Sequence, residues 1–432
     1  MAEPLRITVA GLWHLGCVTA ACCARHFQVT GVDFDEPLVA GLQEGRAPIL
    51  EPGLNDLIAA GIAAKRLRFT TDPAAACATA DVLWVCYDTP VNDDDESDVT
   101  FVLQQIRRCL PHLAGGALVL VSSQLPVGTV RGLEAEFPQF EFACSPENLR
   151  LGKALDAFEK AERVIVGVRR DTKKALIERL FAPFTARVQF MGVESAEMLK
   201  HALNSFLALS ITFINEIARL CEQAGADARE VAAGLKSEPR IGNKAYLGPG
   251  GPFAGGTLAR DVVTLTRLGA ARGESLSLIP AIKESNDLHR GWALGKLRAL
   301  GDLKESTVAV LGLTYTPNTD TLRRSAAIEL CRALLTEGAD VKAYDPVIRQ
   351  LPADLSKVQL MTDLASALNG ADAAVVCTEW PEFRQANWPG LVPSMRGAVI
   401  IDPNGFLSQQ LQNAWEATHV RVGAPDSHTR PS

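Results

Sequence analysis

Apolar residues recur every three or four positions between Glu194 and Gly225, which predicts one long amphipathic helix. We expect Ser195 to cap its start and Gly225 to end it in a left-handed turn. A helix of about thirty residues is roughly 45 Å long, so we expect a spine that joins two halves of the chain and contacts a partner subunit. The repeating positions are Leu199, Leu203, Phe206, Leu207, Ile211, Ile214, Ile217, Ala218 and Cys221.

A strand pattern and a glycine turn open the chain. Residues 6–10 predict a strand, Gly11 and Gly16 flank a turn into a small-residue helix, and a second predicted strand ends at Asp33. Strand, glycine turn, helix, strand and acid form a βαβ dinucleotide unit, in which the acid binds ribose hydroxyls. Trp13 stands at the position of the second glycine of this fingerprint. In the fingerprint, that glycine lets the backbone approach the pyrophosphate. From this stretch alone, a βαβ unit without a cofactor is equally compatible.

Alternating strands and helices continue along both halves of the chain. This pattern predicts an α/β fold with two Rossmann-like, doubly wound parallel-sheet domains joined by the long central helix. The expected boundaries are 1–193 for a dinucleotide-binding domain, 194–300 for a central helical region and 301–432 for a second Rossmann-like domain. Ligands bind where parallel strands end, so Thr89 and Gln124 are candidate cofactor contacts. The further predicted strands are 81–87, 117–122, 140–144, 163–168, 307–313, 341–345, 371–377 and 398–402.

A glycine-rich segment, LGPGGPFAGGTLARD, follows the predicted central helix and ends at Asp261. Its glycines, prolines and single aromatic residue are typical of a loop whose backbone closely approaches a ligand. A flexible crossover between two domains is the alternative interpretation of this segment.

Composition excludes several classes of function. The formal net charge of −7 argues against nucleic acid as a partner. No signal peptide or membrane-spanning apolar run is present. The 10 cysteines are scattered without zinc-ligand spacing, which predicts reduced thiols, no metal and a cytoplasmic protein.

Several longer segments, in this order, resemble the UDP-glucose/GDP-mannose dehydrogenase family over almost the whole chain. The resemblance implies NAD as cofactor, a UDP- or GDP-sugar substrate and a homodimer built on the central helix. It also implies a two-step oxidation of the sugar's C6 alcohol to the acid, as in polysaccharide biosynthesis. The matching segments are GVDFDEPLVAGLQEGRAPILEPGL, AEMLKHALNSFLA, ITFINEIARLCE, EPRIGNKAY, VAVLGLTYTPNTDTLRRS, VKAYDPV and CTEWPEF.

The resemblance also implies roles for individual residues. Lys200 and Asn204 match the lysine and asparagine that polarise the reacting oxygen, and Glu147 matches a glutamate of the active site. Asp33 matches the ribose-binding acid, and Asp261 the aspartate that closes the cysteine loop. The implied substrate contacts are Glu147, Arg150, Lys200, Asn204, Arg240, Tyr246, Phe253, Gly255 and Arg323.

The chain departs from the family pattern at chemically important positions. Anchored on Asp261, the loop places Thr257 where the family has its nucleophilic cysteine. A thiol ionises near pH 8.5, whereas an aliphatic alcohol is almost never an alkoxide without a strong base beside it. Leu151 replaces a glutamate, Gln124 a threonine and Thr316 a lysine. Pro403 and Asn404 stand where the family has an Arg-Asn pair.

Three functions are compatible with these residues. The first is a four-electron dehydrogenase in which Thr257 or another residue replaces the cysteine. The second is a changed oxidoreductase that stops at the aldehyde or oxidises the sugar transiently, with Lys200 accepting the alcohol proton. The third is a catalytically inactive nucleotide-sugar-binding paralogue that partners or regulates a true dehydrogenase. Trp13 bears on the choice among these functions, because the first two require NAD.

Overall fold

A computed structural model of the chain describes residues 4–92, 95–146, 149, 151–253, 257–414 and 416–425. The chain forms two compact units, 1–203 and 204–432, and the division falls within the longest helix. Each unit contains its own sheet with helices packed beside it, so the predicted fold class is confirmed.

The first unit is built on an eight-stranded sheet with the order β3-β2-β1-β4-β5-β6-β7-β8. Strands β1 to β6 run parallel, as predicted, whereas β7 pairs antiparallel with β6 and parallel with β8. The strands are β1 Arg6–Ala10, β2 Gln28–Val32, β3 Leu67–Thr70, β4 Val82–Val85, β5 Leu118–Val121, β6 Glu141–Cys144, β7 Val164–Val168 and β8 Val188–Met191.

Helices connect these strands, and their apolar sides join the strands in two buried clusters. The central strands are buried on both faces, as in β4 and β5, where every residue is buried. The helices are α1 His14–Cys23, α2 Glu36–Gln43, α3 Leu54–Ala63, α4 Pro73–Cys77, α5 Val99–Cys109, α6 Thr129–Glu136, α7 Ala154–Glu159 and α8 Lys174–Phe181.

The predicted long helix is confirmed as α9, Val193–Ala224. Its end follows the prediction: Gly225 has φ +75°, and the N–H of Ala226 donates to the carbonyl of Cys221 at 3.0 Å, as in a Schellman motif. The cap prediction is wrong, because α9 begins at Val193 and places Ser195 inside its first turn. Phe206, a member of the predicted apolar face, is 65% exposed.

The second unit contains a six-stranded parallel sheet with the order β11-β10-β9-β12-β13-β14. Its strands are β9 Thr307–Leu311, β10 Asp340–Tyr344, β11 Gln359–Leu360, β12 Ala373–Val376, β13 Val399–Ile401 and β14 Thr418–Val420. Its helices after α9 are α10 Ala228–Ser237, α11 Leu258–Ala271, α12 Leu278–Arg290, α13 Trp292–Leu300, α14 Ala326–Thr336, α15 Leu364–Leu368, α16 Pro381–Gln385 and α17 Trp388–Leu391.

In each unit, the turn after the first strand contains a glycine that lies very close to another residue. Gly11 has φ +92°, and a Cβ there would lie 2.6 Å from the backbone nitrogen of Tyr87. Gly312 is its counterpart in the second unit, with φ +82° and Thr378 Cβ 2.5 Å from the added carbon. Both turns therefore require glycine for conformation and for space.

We predict that Gly16→Ala destabilises the first unit. The added Cβ would lie 1.6 Å from the carbonyl oxygen of Gly11, so α1 would have to shift away from the turn. Overpacking of this kind costs about 1–3 kcal/mol, measurable as a lower midpoint in thermal or denaturant unfolding.

Gly132→Ala in α6 is the matched control, because no atom lies within 4 Å of its added Cβ. Alanine there removes backbone freedom from the unfolded chain, so stability should be unchanged or slightly higher. Equal midpoints for the two variants would contradict the packing argument.

Candidate active site

The turn between β1 and α1 presents an open helix N-terminus. Trp13 precedes α1, its backbone has φ −85° and ψ −149°, and no side chain caps the helix. A negative φ needs no glycine, so tryptophan fits this backbone without strain. Its indole is 44% exposed rather than packed in the core. The first N–H groups of α1 thus point toward the position where a phosphate binds a helix N-terminus.

Asp33 closes this turn from the end of β2. Its carboxylate accepts the N–H of Leu12 at 2.7 Å, that of Phe34 at 2.7 Å and that of Asp35 at 3.2 Å. The acid therefore orients the glycine turn and stands at the ribose-binding position of a dinucleotide fold.

Glu51 supports the first turn of α1 from the side. Its buried carboxylate contacts His14 Nε2 at 2.9 Å and accepts the N–H groups of Gly152 at 2.8 Å and Ala154 at 2.9 Å. Burial opposes ionisation of Glu51, but these hydrogen bonds outweigh it and lower the pKa of the carboxyl group. Glu51 thus remains a carboxylate that holds His14 at the start of the helix.

Polar groups meet at the ends of β4 and β5, as the sequence predicted. The hydroxyl of buried Thr89 donates to the carbonyl oxygen of Gln124 at 2.7 Å. These two segments lie beyond the carboxyl edge of the sheet, where the strand order turns from β1 to β4. With the open α1 terminus and Asp33, they form a site that fits a dinucleotide.

A separate cavity of about 530 Å³ lies in the second unit. Aromatic rings of Tyr246, Phe253 and Tyr315 line it together with Lys236 and Asn404. Aromatic walls with a few polar groups are typical of a site for a small organic ligand.

The first part of the glycine-rich segment, from Leu247 to Phe253, is held by buried side chains. Asn215 Oδ1 accepts the N–H of Gly250 at 3.0 Å, and His289 Nε2 contacts the Gly250 carbonyl at 2.7 Å. Asn286 exchanges two hydrogen bonds with the backbone of Phe253, both at 2.9 Å. These contacts fix the backbone that lines the cavity, so the flexible-crossover interpretation does not hold for it.

Asn404 adds a further contact to the same segment. Its Oδ1 accepts the N–H of Gly251 at 2.8 Å. A Cβ on Gly250 would lie 2.1 Å from this oxygen, so the approach depends on glycine. Arg229 in turn donates to the Asn404 carbonyl at 2.5 Å.

Asn204 and Asp261 meet as a buried pair. Asn204 Nδ2 donates to Asp261 Oδ2 at 2.5 Å, and both side chains are almost completely buried. Asp261 lies in the first turn of α11, and its N–H approaches the Thr257 carbonyl at 3.4 Å. Asp261 therefore fixes the orientation of the Asn204 amide beside the start of this helix.

Thr257 has a phenol as a partner. Its side chain lies close enough to the hydroxyl of Tyr315 to influence the ionisation of the phenol. Burial raises the pKa of Tyr315 and outweighs the opposing effect of Thr257. The phenol is therefore neutral near pH 7, and a neutral phenol is not a base that activates an alcohol.

Comparison with known proteins shows the family of the chain. Residues 5–185 match the NAD binding domain, residues 194–288 the central domain and residues 309–409 the UDP binding domain of the UDP-glucose/GDP-mannose dehydrogenase family. The chain belongs to this family.

Individual relatives match this chain over almost its whole length. The chain is 34% identical to UDP-glucose 6-dehydrogenase TuaD from Bacillus subtilis, covering 97% of this chain and 93% of that protein. It is 33% identical to UDP-glucose 6-dehydrogenase from Rhizobium meliloti, covering 98% and 100%. The solved UDP-glucose dehydrogenase from Pyrobaculum islandicum has a TM-score of 0.86 at 28% identity, covering 98% of each chain.

Other residues implied by the family resemblance occupy varied positions. Lys200 is half-buried on α9, one helical turn before Asn204. Arg240 is exposed and pairs with Glu238 at 2.8 Å. Arg323 lines a smaller cavity of about 270 Å³ beside the start of α14. The predicted residues Glu147, Arg150 and Gly255 lie outside the described part of the chain.

Sequence reasoning did not predict all of the residues that build the cavity. Lys236 and Tyr315 line it, and Asn215, Asn286 and His289 hold its backbone. Tyr315 lies within a segment that resembles the family, but nothing in that segment identifies Thr257 as its partner.

Among the described helices, none is long and apolar enough to cross a membrane.

We predict that Asn404→Ala loosens the cavity wall without unfolding the unit. Loss of the acceptor for the Gly251 N–H should speed amide exchange at Gly250 and Gly251, measured by hydrogen–deuterium exchange. Affinity for a UDP-sugar should fall roughly 3- to 10-fold, as expected for one hydrogen bond.

Asn369→Ala is the control, because Asn369 is an exposed amide of the same unit at the end of α15. It should change neither the exchange of these amides nor the affinity. Unchanged exchange in Asn404→Ala would show that Asn404 does not hold the loop.

Proposed function

We propose that this protein is an NAD-dependent oxidoreductase that converts the C6 alcohol of a UDP-sugar to the aldehyde and releases it. Membership of the family, the matched NAD binding and UDP binding domains and the aromatic cavity support a nucleotide-sugar oxidoreductase. The relatives are dehydrogenases, which favours this function over a non-catalytic binding protein. The observation that carries the proposed end point is that Thr257 is an alcohol whose neighbour, Tyr315, is a neutral phenol.

The absence of a thiol at this position changes the second half of the reaction. A cysteine thiolate captures the aldehyde covalently, which allows a second oxidation and then hydrolysis. Thr257 has an alcohol of very high pKa and a partner that is not a base, so the covalent step lacks a nucleophile. The first oxidation has no such requirement.

The proposed first oxidation needs a base, a polarising donor and a hydride acceptor. Lys200 accepts the proton of the C6 hydroxyl, and Asn204, oriented by Asp261, polarises its oxygen. NAD supplies the acceptor for the hydride when it is bound. The C6 alcohol loses one hydride and one proton, which leaves the aldehyde. The residues proposed to hold NAD are Gly11, Trp13, Gly16, Asp33, Thr89 and Gln124.

The functional division we propose is 1–193 for NAD, 194–300 for the central region and 301–432 for the nucleotide of the substrate. The three family matches support it, since they begin at residues 5, 194 and 309, close to the starts of these three parts. The ten cysteines are all free, which supports a reducing cytoplasmic location.

We also propose a homodimer that forms through α9. Phe206, Phe213 and Leu220 follow one another at seven-residue spacing along this helix and are 65%, 45% and 61% exposed. An apolar stripe of this spacing packs against a second helix of the same kind. A second copy of the chain supplies that helix through a two-fold axis.

The reaction is tested by incubating the purified protein with NAD and a panel of UDP- and GDP-sugars. We expect one reduced cofactor per sugar, measured by absorbance, and an aldehyde product identified by mass after trapping with a hydroxylamine. Lys200→Ala should abolish turnover while sugar-nucleotide binding is largely retained.

Two reduced cofactors per sugar with an acid product would contradict the proposed end point at Thr257. No turnover with any sugar, despite binding of the sugar nucleotide, would contradict the oxidoreductase itself.

The dimer is tested with Phe206→Glu/Phe213→Glu. The wild-type protein should have twice the chain mass of 46.3 kDa by light scattering, and the variant should have the mass of one chain. Val231→Glu, at an exposed apolar position on α10, is the control and should remain dimeric. A wild-type protein of single-chain mass would contradict the proposal.

A further inference from the structure

We infer that the hydroxyl of Tyr315, held by Thr257, donates a hydrogen bond to the C6 oxygen of the sugar. This assigns Tyr315 as a further catalytic and specificity-determining residue. The inference rests on the proposed function, because it takes the cavity of the second unit as the site of the sugar.

The position of Tyr315 links this cavity to the residues at the start of α11. Its side chain lines the cavity, and its hydroxyl contacts Thr257, the residue that precedes α11. Asp261, one turn later on α11, holds the Asn204 amide at 2.5 Å. The Tyr315 hydroxyl and the Asn204 amide are therefore both held by residues at the start of α11.

Backbone contacts keep Tyr315 in this position. Its N–H donates to the Thr321 carbonyl at 2.9 Å. The preceding residue, Thr314, accepts a hydrogen bond from the Thr378 hydroxyl through its carbonyl at 2.6 Å. A phenol on a fixed backbone needs little further ordering when a ligand binds.

The chemistry of the pair favours donation to the substrate. Thr257 can donate its proton to the phenol oxygen, which leaves the phenol O–H free to point into the cavity. Hydrogen bonds in such a chain strengthen one another. As Lys200 removes the C6 hydroxyl proton, negative charge develops on the oxygen, and a fixed donor stabilises it.

The proposed hydrogen bond from Tyr315 to the C6 oxygen also affects which product leaves the site. In the family pattern the thiol attacks C6 at this position, whereas here two hydroxyl groups occupy the region. They hold the carbonyl oxygen by a hydrogen bond and form no bond to carbon. The aldehyde thus leaves the site without a covalent intermediate.

Binding without NAD tests the contact directly. The Kd values of UDP-glucose and UDP-6-deoxyglucose are measured by calorimetry for the wild-type protein and Tyr315→Phe. The wild-type protein should prefer UDP-glucose, and the variant should lose roughly 3- to 10-fold of that preference, the effect of one neutral hydrogen bond. Affinity for UDP alone should be the same in both proteins, which shows that the variant folds.

Tyr344→Phe is the matched control, since it removes a phenol hydroxyl that bonds to Glu382 in the same unit. It should leave the preference unchanged. An unchanged preference in Tyr315→Phe would overturn the inference alone. A wild-type protein that does not bind UDP-glucose would overturn the proposed function and this inference with it.

Turnover provides a second, independent measurement. Tyr315→Phe and Thr257→Val should each lower kcat roughly 10- to 100-fold with little change in Kd, because the lost donor acts mainly on the developing charge. Thr257→Ser should restore most of the activity, and the double variant should be no worse than Tyr315→Phe, since the two hydroxyls act as a unit. Additive losses, or no rescue by serine, would overturn the role of the pair.

Discussion

In each unit, an aspartate that follows the second strand holds the turn after the first strand. In the first unit, Asp33 accepts the N–H of Leu12 at 2.7 Å, and in the second unit Asp345 accepts that of Leu313, also at 2.7 Å. Each N–H belongs to the residue after the glycine that follows the first strand of its unit. Because the carboxylate fixes this turn, it determines where the following segment begins. The rest of each sheet edge is built around that point.

The two units use this arrangement differently. Asp33 is half-buried beside an open helix terminus, whereas Asp345 is buried and also accepts the indole N–H of Trp380 at 3.0 Å. The N–H groups of Thr314, Val347 and Ile348 also donate to it. The first carboxylate is thus accessible to a ligand, while the second is satisfied by the protein. A similar backbone pattern leaves the carboxylate partly exposed in one unit and buries it in the other.

Much of the fold could be predicted from apolar periodicity, and the omissions have a common cause. The strands that sequence reasoning did not identify are β3, β8, β11 and β14, and each lies at an edge of its sheet. Edge strands are short and half-exposed, so they lack the continuous apolar run of a central strand. The contact between Thr257 and Tyr315 could not be predicted from the sequence for another reason. It joins residues far apart in sequence, and neither residue type indicates the other.

The exposed indole of Trp13 gives the dinucleotide turn an optical signal of its own. Trp84, Trp292, Trp380 and Trp388 are buried, so among the described tryptophans Trp13 alone meets solvent. A soluble quencher that cannot enter the core would act on the fluorescence of this indole first. Anything that covers the start of α1 would shield it. The residue that departs from the glycine pattern is therefore also a natural reporter of events at that turn.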